Sequence, residues 1–223
     1  MNEWLLVSDV HANYTALEAV LEKEDYDKLF CLGDIVGLNG FPSETVECVR
    51  NNCDYVIAGN HDVAVVDYKE GHVNDSELAE YERVYTNKQL TQEQKDWVNS
   101  LPSYRELKDI GVLLTHAKPN YMESDGYAMG NKGIANGKEM KYANKVDKWV
   151  DFLFFGHTHL QQQLDTRKFD GNNLLMINPG SLGYNGEYAI VDNKRKDIEL
   201  KTVDYDYERT REKVKSVAPK TWW

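Results

Sequence analysis

The sequence has no long apolar run. Its first, Trp4 to Val7, is four residues long and is followed by Ser8 and Asp9, far short of the roughly 20 residues a membrane-crossing helix needs. A secretory leader begins with basic residues and carries a longer apolar stretch, whereas here Asn2 and Glu3 follow Met1. These absences give the expectation of a cytoplasmic protein with no membrane partner. Cysteine is scarce: Cys31, Cys48 and Cys53 are odd in number, irregularly spaced and contain no C-x-x-C pair. That argues against a disulfide framework and a thiolate zinc site, and leaves three buried or neutral thiols. Positive charge is also short. Lys and Arg number 26 against 37 Asp and Glu, for a formal net charge of -11, which disfavours nucleic acid as a partner, because non-specific binding depends on basic residues neutralising phosphates. It does not exclude a phosphate substrate, since bound metal ions dominate the local charge of a site. No repeat or low-complexity tract breaks the chain.

What is present suits a single soluble domain over residues 1–223: 41% of residues are hydrophobic and 28% charged. The first third alternates short apolar runs with helical patterns. Trp4–Val7, Leu29–Leu32 and Tyr55–Ala58 read as strands. Between them lie one helix capped by Asn13 and carrying Leu17, Val20 and Leu21, and another capped by Ser43 and carrying Val46 and Val49. This β-α-β-α-β rhythm implies parallel strands. Residues 76–90 read as a helix, and Thr91 with Gln94 forms a capping box for the next, which Pro102 ends. An edge strand near Tyr104–Ile110 leads to the strand Val112–Thr115, and residues 117–136 read as a long surface loop. Phe152–Phe155, Leu174–Ile177, Tyr188–Val191 and Ile198–Val203 read as further strands, the last three suggesting antiparallel pairing on a second sheet. Tyr207–Val217 reads as a charged helix.

The polar residues that follow the apolar strands form a pattern. The strands run out into Asp9-Val10-His11, Gly33-Asp34, Gly59-Asn60-His61-Asp62, Thr115-His116 and Gly156-His157-Thr158-His159. These segments hold five of the six histidines, with His72 outside them in a polar stretch. Ligands of open α/β sheets bind at the carboxyl ends of strands, so the pattern gathers Asp, Asn and His at one edge. Imidazole suits zinc, iron and similar ions, and carboxylate and amide oxygens suit manganese or magnesium. Asp-x-His and His-x-His on an extended backbone would aim alternate side chains to one side. Gly33, Gly37, Gly59 and Gly156 allow tight turns beside them.

These motifs, in this order, resemble the calcineurin-like metallophosphoesterase superfamily, whose signature is D-x-H, G-D-x-x-G, G-N-H-D/E, H and G-H-x-H. Gly33 to Gly40 with Pro42 and Glu44, and Asn178-Pro179-Gly180-Ser181-Leu182-Gly183, are similar to its small bacterial and archaeal phosphodiesterase subgroup. The resemblance implies a four-layer αββα sandwich of two mixed β-sheets with the metal site at the strand carboxyl ends. It implies two divalent metal ions (Mn, Fe, Zn, Ni or Mg): one held by Asp9, His11, Asp34 and His159, the other by Asp34, Asn60, His116 and His157, with Asp34 bridging. It implies that His61 is catalytic, contacting the phosphate and protonating the leaving oxygen, and that Asp62 orients its ring. Where the subgroup has H-G-x-P, this chain has His116-Ala117-Lys118-Pro119, and Tyr184-Asn185-Gly186-Glu187 replaces a loop containing Pro and Arg, so the substrate-facing surface differs.

The activity so implied is hydrolysis of a phosphodiester or phosphomonoester by a metal-activated water, on a small or nucleotide-like substrate. The alternatives are a non-catalytic metal-binding scaffold of the same fold and a small nuclease. The complete ligand set and His61 favour the enzyme, and the charge and short length disfavour the nuclease. A homo-oligomer is left open.

Overall fold

A computed structural model describes residues 2–66, 77–117, 146–168 and 171–217. The elements in chain order are β1 (Glu3–Val7), α1 (Tyr14–Lys23), β2 (Lys28–Cys31), α2 (Pro42–Asn52), β3 (Tyr55–Val56), α3 (Asn60–Val66), α4 (Glu77–Gln89) and α5 (Gln92–Asn99). They are followed by β4 (Tyr104–Leu107), β5 (Val112–Thr115), β6 (Phe152–Phe154), β7 (Gln162–Arg167), β8 (Asn173–Asn178), α6 (Leu182–Asn185), β9 (Glu187–Asp192), β10 (Asp197–Thr202) and α7 (Tyr207–Val217).

The strands form two five-stranded mixed sheets, ordered β10-β9-β1-β2-β3 and β4-β5-β6-β8-β7. In the first, β1, β2 and β3 are parallel, while β9 runs antiparallel to β1 and β10 antiparallel to β9. In the second, β5, β6 and β8 are parallel and the edge strands β4 and β7 are antiparallel to their neighbours. The expectation that the late strands share the second sheet therefore holds only for β8. Leu5 pairs with Ile190 and Leu6 with Ala189, so β9 and β10 extend the first sheet. Strand β7 was not legible as a strand: its sequence, Gln-Gln-Leu-Asp-Thr-Arg, is polar and only half-buried along its length.

Side chains alternate across a strand, and here the alternation sorts the core into layers. Trp4 and Leu6 of β1, Phe30 of β2 and Ala189 and Val191 of β9 face Val112, Leu114, Phe152, Phe154, Leu175 and Ile177 of the second sheet, all in one buried cluster. Trp4 is its centre, 5.5 Å between ring centroids from both Phe30 and Phe152. The opposite face of the first sheet, with Leu5, Val7, Leu29 and Cys31, packs on Leu17 and Val20 of α1, Val46 and Val49 of α2 and Val98 of α5. The second sheet turns Leu113, Leu153, Phe155 and Met176 outward onto Val146, Trp149 and Val150. Central strands are thus buried on both faces, which is why they read as unbroken apolar runs rather than alternating ones.

Local signals placed most helices. Asn13 caps α1 by accepting from the Ala16 N–H, and Thr91 and Gln94 complete a reciprocal capping box on α5. Ser43 does not cap α2. Phe41 occupies that position without a side-chain bond, Pro42 sits in the first turn where its missing N–H costs nothing, and the Ser43 hydroxyl instead bonds Gln94 Oε1. The surface-loop expectation for 117–136 falls, beyond the buried Ala117, outside the described residues, as do His72 and Lys118. Among the described residues, no helix is long and apolar enough to cross a membrane.

Candidate metal centre

The loops after β1, β2, β3, β5 and β6 meet at one end of the sandwich. The first two are stitched by Asp9 N–H donating to Gly33 O at 3.0 Å and His11 N–H to Asp34 O at 2.8 Å. The last two are joined by Gly156 N–H to His116 O at 2.9 Å. His157 N–H donates across to Asp9 Oδ2 at 3.0 Å and so ties the sheets' loops together.

The backbone here departs from the extended geometry that the Asp-x-His and His-x-His spacing suggests. Asp9 (φ 51°), His11 (φ 49°), Asp34 (φ 52°), His157 (φ 69°) and His159 (φ 56°) all adopt left-handed conformations. Each such non-glycine residue costs about 1–3 kcal/mol and persists only where its surroundings over-determine it. Curled loops, not strand alternation, aim these side chains.

Two groups of donor atoms result. In the first, Asp9, His11, Asp34 and His159 place ligand atoms within 4.8 Å of one another. His11 Nε2 and His159 Nε2 are 3.1 Å apart, and Asp9 Oδ1 is 3.1 Å from His159 Nε2. In the second, Asp34 Oδ2 lies 3.2 Å from His116 Nε2, which is 3.2 Å from Asn60 Oδ1, itself 2.9 Å from His157 Nδ1. Asp34 belongs to both, with the same Oδ2 4.0 Å from His11 Nε2.

Two buried polar atoms of the first group have no hydrogen-bond partner. Asp9 Oδ1 accepts no hydrogen bond despite its short distance to His159, and His11 Nδ1 has no partner. Unpaired buried polar groups are costly, and carboxylate, imidazole and amide oxygen are the donor set of borderline divalent ions. The residues present therefore fit a metal centre. His116 is prepared for ligation in a specific way. Its Nδ1 is 2.7 Å from the Leu32 carbonyl, which can only accept, so the proton sits on Nδ1 and Nε2 is directed at Asp34 and Asn60.

Charge is distributed unevenly. Burial pushes the His11 pKa down to about 4, keeping the ring neutral. Burial acts the same way on His116, but the Asp34 carboxylate beside it outweighs this and lifts its pKa to about 10. Burial opposes ionisation of Asp34, yet His116 and His11 hold its pKa well below the usual carboxylate range. A proton on His116 thus answers, without metal, the Asp34 charge that a cation would neutralise.

The His61 ring lies outside both groups, beside them. Its centroid is 4.8 Å from that of His11, and it presses on Gly37, where a Cβ would come within 2.9 Å of its Nδ1. Its backbone N–H donates to Asp34 Oδ1 at 2.8 Å. Asp62 does not meet the expectation that it orients this ring. Its Oδ1 accepts from Ile35 N–H at 2.9 Å and Val36 N–H at 3.1 Å, and its Oδ2 from Gly59 N–H at 2.8 Å. None of these bonds reaches His61: Asp62 clamps the loop after β2 to the loop after β3. Burial and the Asp34 carboxylate push its pKa up to about 7. Asp62→Ala leaves three buried N–H groups unpaired, and we expect a loss of about 2–4 kcal/mol, measured as a lowered denaturant midpoint. An unchanged midpoint would show the clamp to be dispensable.

Three supporting residues escaped sequence reasoning as functional groups. Ser8 Oγ donates to Asp9 Oδ2 at 2.6 Å, Asn178 Nδ2 donates to Gly156 O and Thr158 Oγ1, both at 2.9 Å, and Ser181 Oγ donates to Asp9 O at 3.0 Å. The late Asn178–Gly183 turn, legible as a motif, is the buttress behind the centre.

Comparison with known proteins gives consistent relatives. The calcineurin-like phosphoesterase superfamily domain matches residues 3–196. An uncharacterized protein of Methanocaldococcus jannaschii is 32% identical over 94% of this chain and 90% of its own length. A crystal structure of a metallophosphoesterase from Sphaerobacter thermophilus superposes with a TM-score of 0.78 at 27% identity, covering 98% of this chain and 95% of that one. A symmetrical bis(5'-nucleosyl)-tetraphosphatase of Shewanella putrefaciens is 27% identical over 50% of this chain and 42% of its own length.

Proposed function

The chain belongs to the calcineurin-like phosphoesterase superfamily, and from that premise we propose that it is a cytoplasmic, single-domain hydrolase of small phosphodiesters or phosphomonoesters, nucleotide-like ones included. The observation that carries the reading is the pairing of two donor groups through one carboxylate: Asp34 touches His116 and lies within reach of His11. Two ions are the matching complement, one for Asp9, His11, Asp34 and His159 and one for Asp34, Asn60, His116 and His157. When bound, such a pair of ions supplies an acidified water nucleophile and neutralises phosphoryl oxygens.

The remaining chemistry belongs to the chain itself. Asn60 contributes an oxygen without a negative charge that would repel the phosphate. Ser8, Asn178 and Ser181 hold the Asp9 and His157–His159 loops, and Asp62 holds the Asp34 and Asn60–His61 loops, so the donors are set before substrate arrives. His61, beside the ligands and half-buried, delivers a proton to the leaving oxygen. The name of the Shewanella relative, which acts on a dinucleoside polyphosphate, supports a nucleotide-like substrate.

The test is phosphate or alcohol release from a panel of mono- and diesters with Mn, Ni, Mg or Zn, beside a chelated control. Metal-dependent turnover abolished by chelation is expected. Full metallation with no cleavage of any ester would instead favour the scaffold reading.

A further inference from the structure

We propose that Tyr184 determines substrate specificity: its ring is an aromatic platform at the mouth of the metal centre for phosphate esters whose alcohol carries an aromatic ring, a nucleobase or an aryl group. The inference rests on the phosphoesterase reading and adds to it which esters the site prefers.

Tyr184 stands directly against the ligand histidines. Its ring centroid is 5.1 Å from that of His159, at an interplanar angle of 39°, and 5.8 Å from that of His11. A tyrosine that served only to wall in these histidines would itself be covered, whereas Tyr184 is 55% exposed. Two further large apolar residues close in sequence to the site are exposed too: Leu160, immediately after the ligand His159, at 61%, and Val63, two positions after His61, at 39%. The donors that would grip a phosphate are thus bordered by apolar surface, and an ester placed there turns its alcohol portion toward a rim that favours rings over water.

The platform is also fixed. Tyr184 lies on α6, whose N-cap Ser181 accepts from the Tyr184 N–H at 3.2 Å while the same hydroxyl donates to Asp9 O. Leu182 N–H donates to Ser8 O at 3.1 Å and Gly183 N–H to Asp9 O at 2.9 Å. Gly183 permits this close seating, because a Cβ there would lie 2.5 Å from Val10 O. The ring is therefore registered to Asp9, and so to the phosphate position, through backbone contacts. A pre-positioned aromatic ring stacks any planar group at little ordering cost.

The test uses the metal-loaded protein and calorimetric binding of three phosphates: adenosine 5'-monophosphate, phenyl phosphate and methyl phosphate. Wild type, Tyr184→Phe and Tyr184→Ala are compared, each with its metal content and melting temperature recorded. For Tyr184→Ala, the preference of both ring-bearing phosphates over methyl phosphate is expected to fall roughly tenfold, while Tyr184→Phe retains it. A ratio unchanged in Tyr184→Ala overturns the proposal, as does Tyr184→Phe behaving like Tyr184→Ala, which would assign the effect to the hydroxyl. Loss for adenosine 5'-monophosphate alone would restrict the platform to nucleobases, and loss for phenyl phosphate alone to aryl groups. No affinity of wild type for any phosphate, methyl phosphate included, would overturn the phosphoesterase reading itself. If Tyr184→Ala lowers the melting temperature or metal content, Tyr184→Leu replaces it, keeping apolar bulk without a stacking face.

Discussion

Replacing His61 with alanine is expected to leave metal content intact and to slow turnover by roughly 10²- to 10⁴-fold. The separation of effects follows from where the two parts of the residue lie. The backbone N–H of His61 holds Asp34 Oδ1, and alanine keeps that bond. The imidazole sits beside His11 and over Gly37, outside both groups of ligand atoms, so its removal deletes no ligand. On the proposed role, what is lost is a proton donor for the leaving oxygen. The penalty should therefore depend on the leaving group. A nitrophenolate departs without a proton, and its ester should lose least. An alkoxide needs one, and its ester should lose most. Kinetics across a series of leaving groups, with metal content measured alongside, checks this. Equal losses across the series would assign His61 to phosphate binding, and unchanged turnover would remove it from the mechanism.

Asp34→Asn should act on the ions rather than on the proton. Asp34 is the residue shared by both donor groups, and its charge is what His116 answers when no ion is present. The amide is nearly isosteric, so the loop geometry can survive while the bridging negative charge is gone. Outer-shell changes alone cost about 10- to 100-fold in metal affinity, and a bridging ligand should exceed that for both ions together. Elemental analysis after gel filtration should find well under two equivalents, with activity lost in proportion. Two full equivalents in this variant would contradict the bridging role.

The parts of this fold visible in the sequence are those set by local chemistry. Strands β1, β2, β5, β6 and β8 announce themselves because burial on both faces demands continuous apolar residues, and the Asn13 and Thr91 caps because a side-chain oxygen must meet orphan N–H groups. Four of the five segments were legible because each follows such a strand, and the fifth, Gly59–Asp62, because it follows the apolar run Tyr55–Ala58 around the short β3. What stayed hidden is set at a distance. Period-two alternation does not say which strand is the neighbour, so the return of β9 to β1 could not be read. The half-exposed, polar β7 carries almost no apolar signal of its own. Local propensity also disfavours the left-handed backbone of Asp9, His11, Asp34, His157 and His159, which is held by bonds between segments far apart in the chain, among them His11 N–H to Asp34 O, His157 N–H to Asp9 Oδ2 and Ser181 Oγ to Asp9 O. Asp62 shows the same gap: the family resemblance implies the His61 ring as its partner, while the folded loops offer it three backbone donors.

The proposed arrangement of seven side chains around two cations is tested most directly by anomalous diffraction from crystals grown with manganese. Two peaks are expected, one enclosed by Asp9, His11 and His159, the other by Asn60, His116 and His157, with the Asp34 carboxylate between them. A single peak, or none, in a preparation that hydrolyses phosphate esters at full rate would refute it.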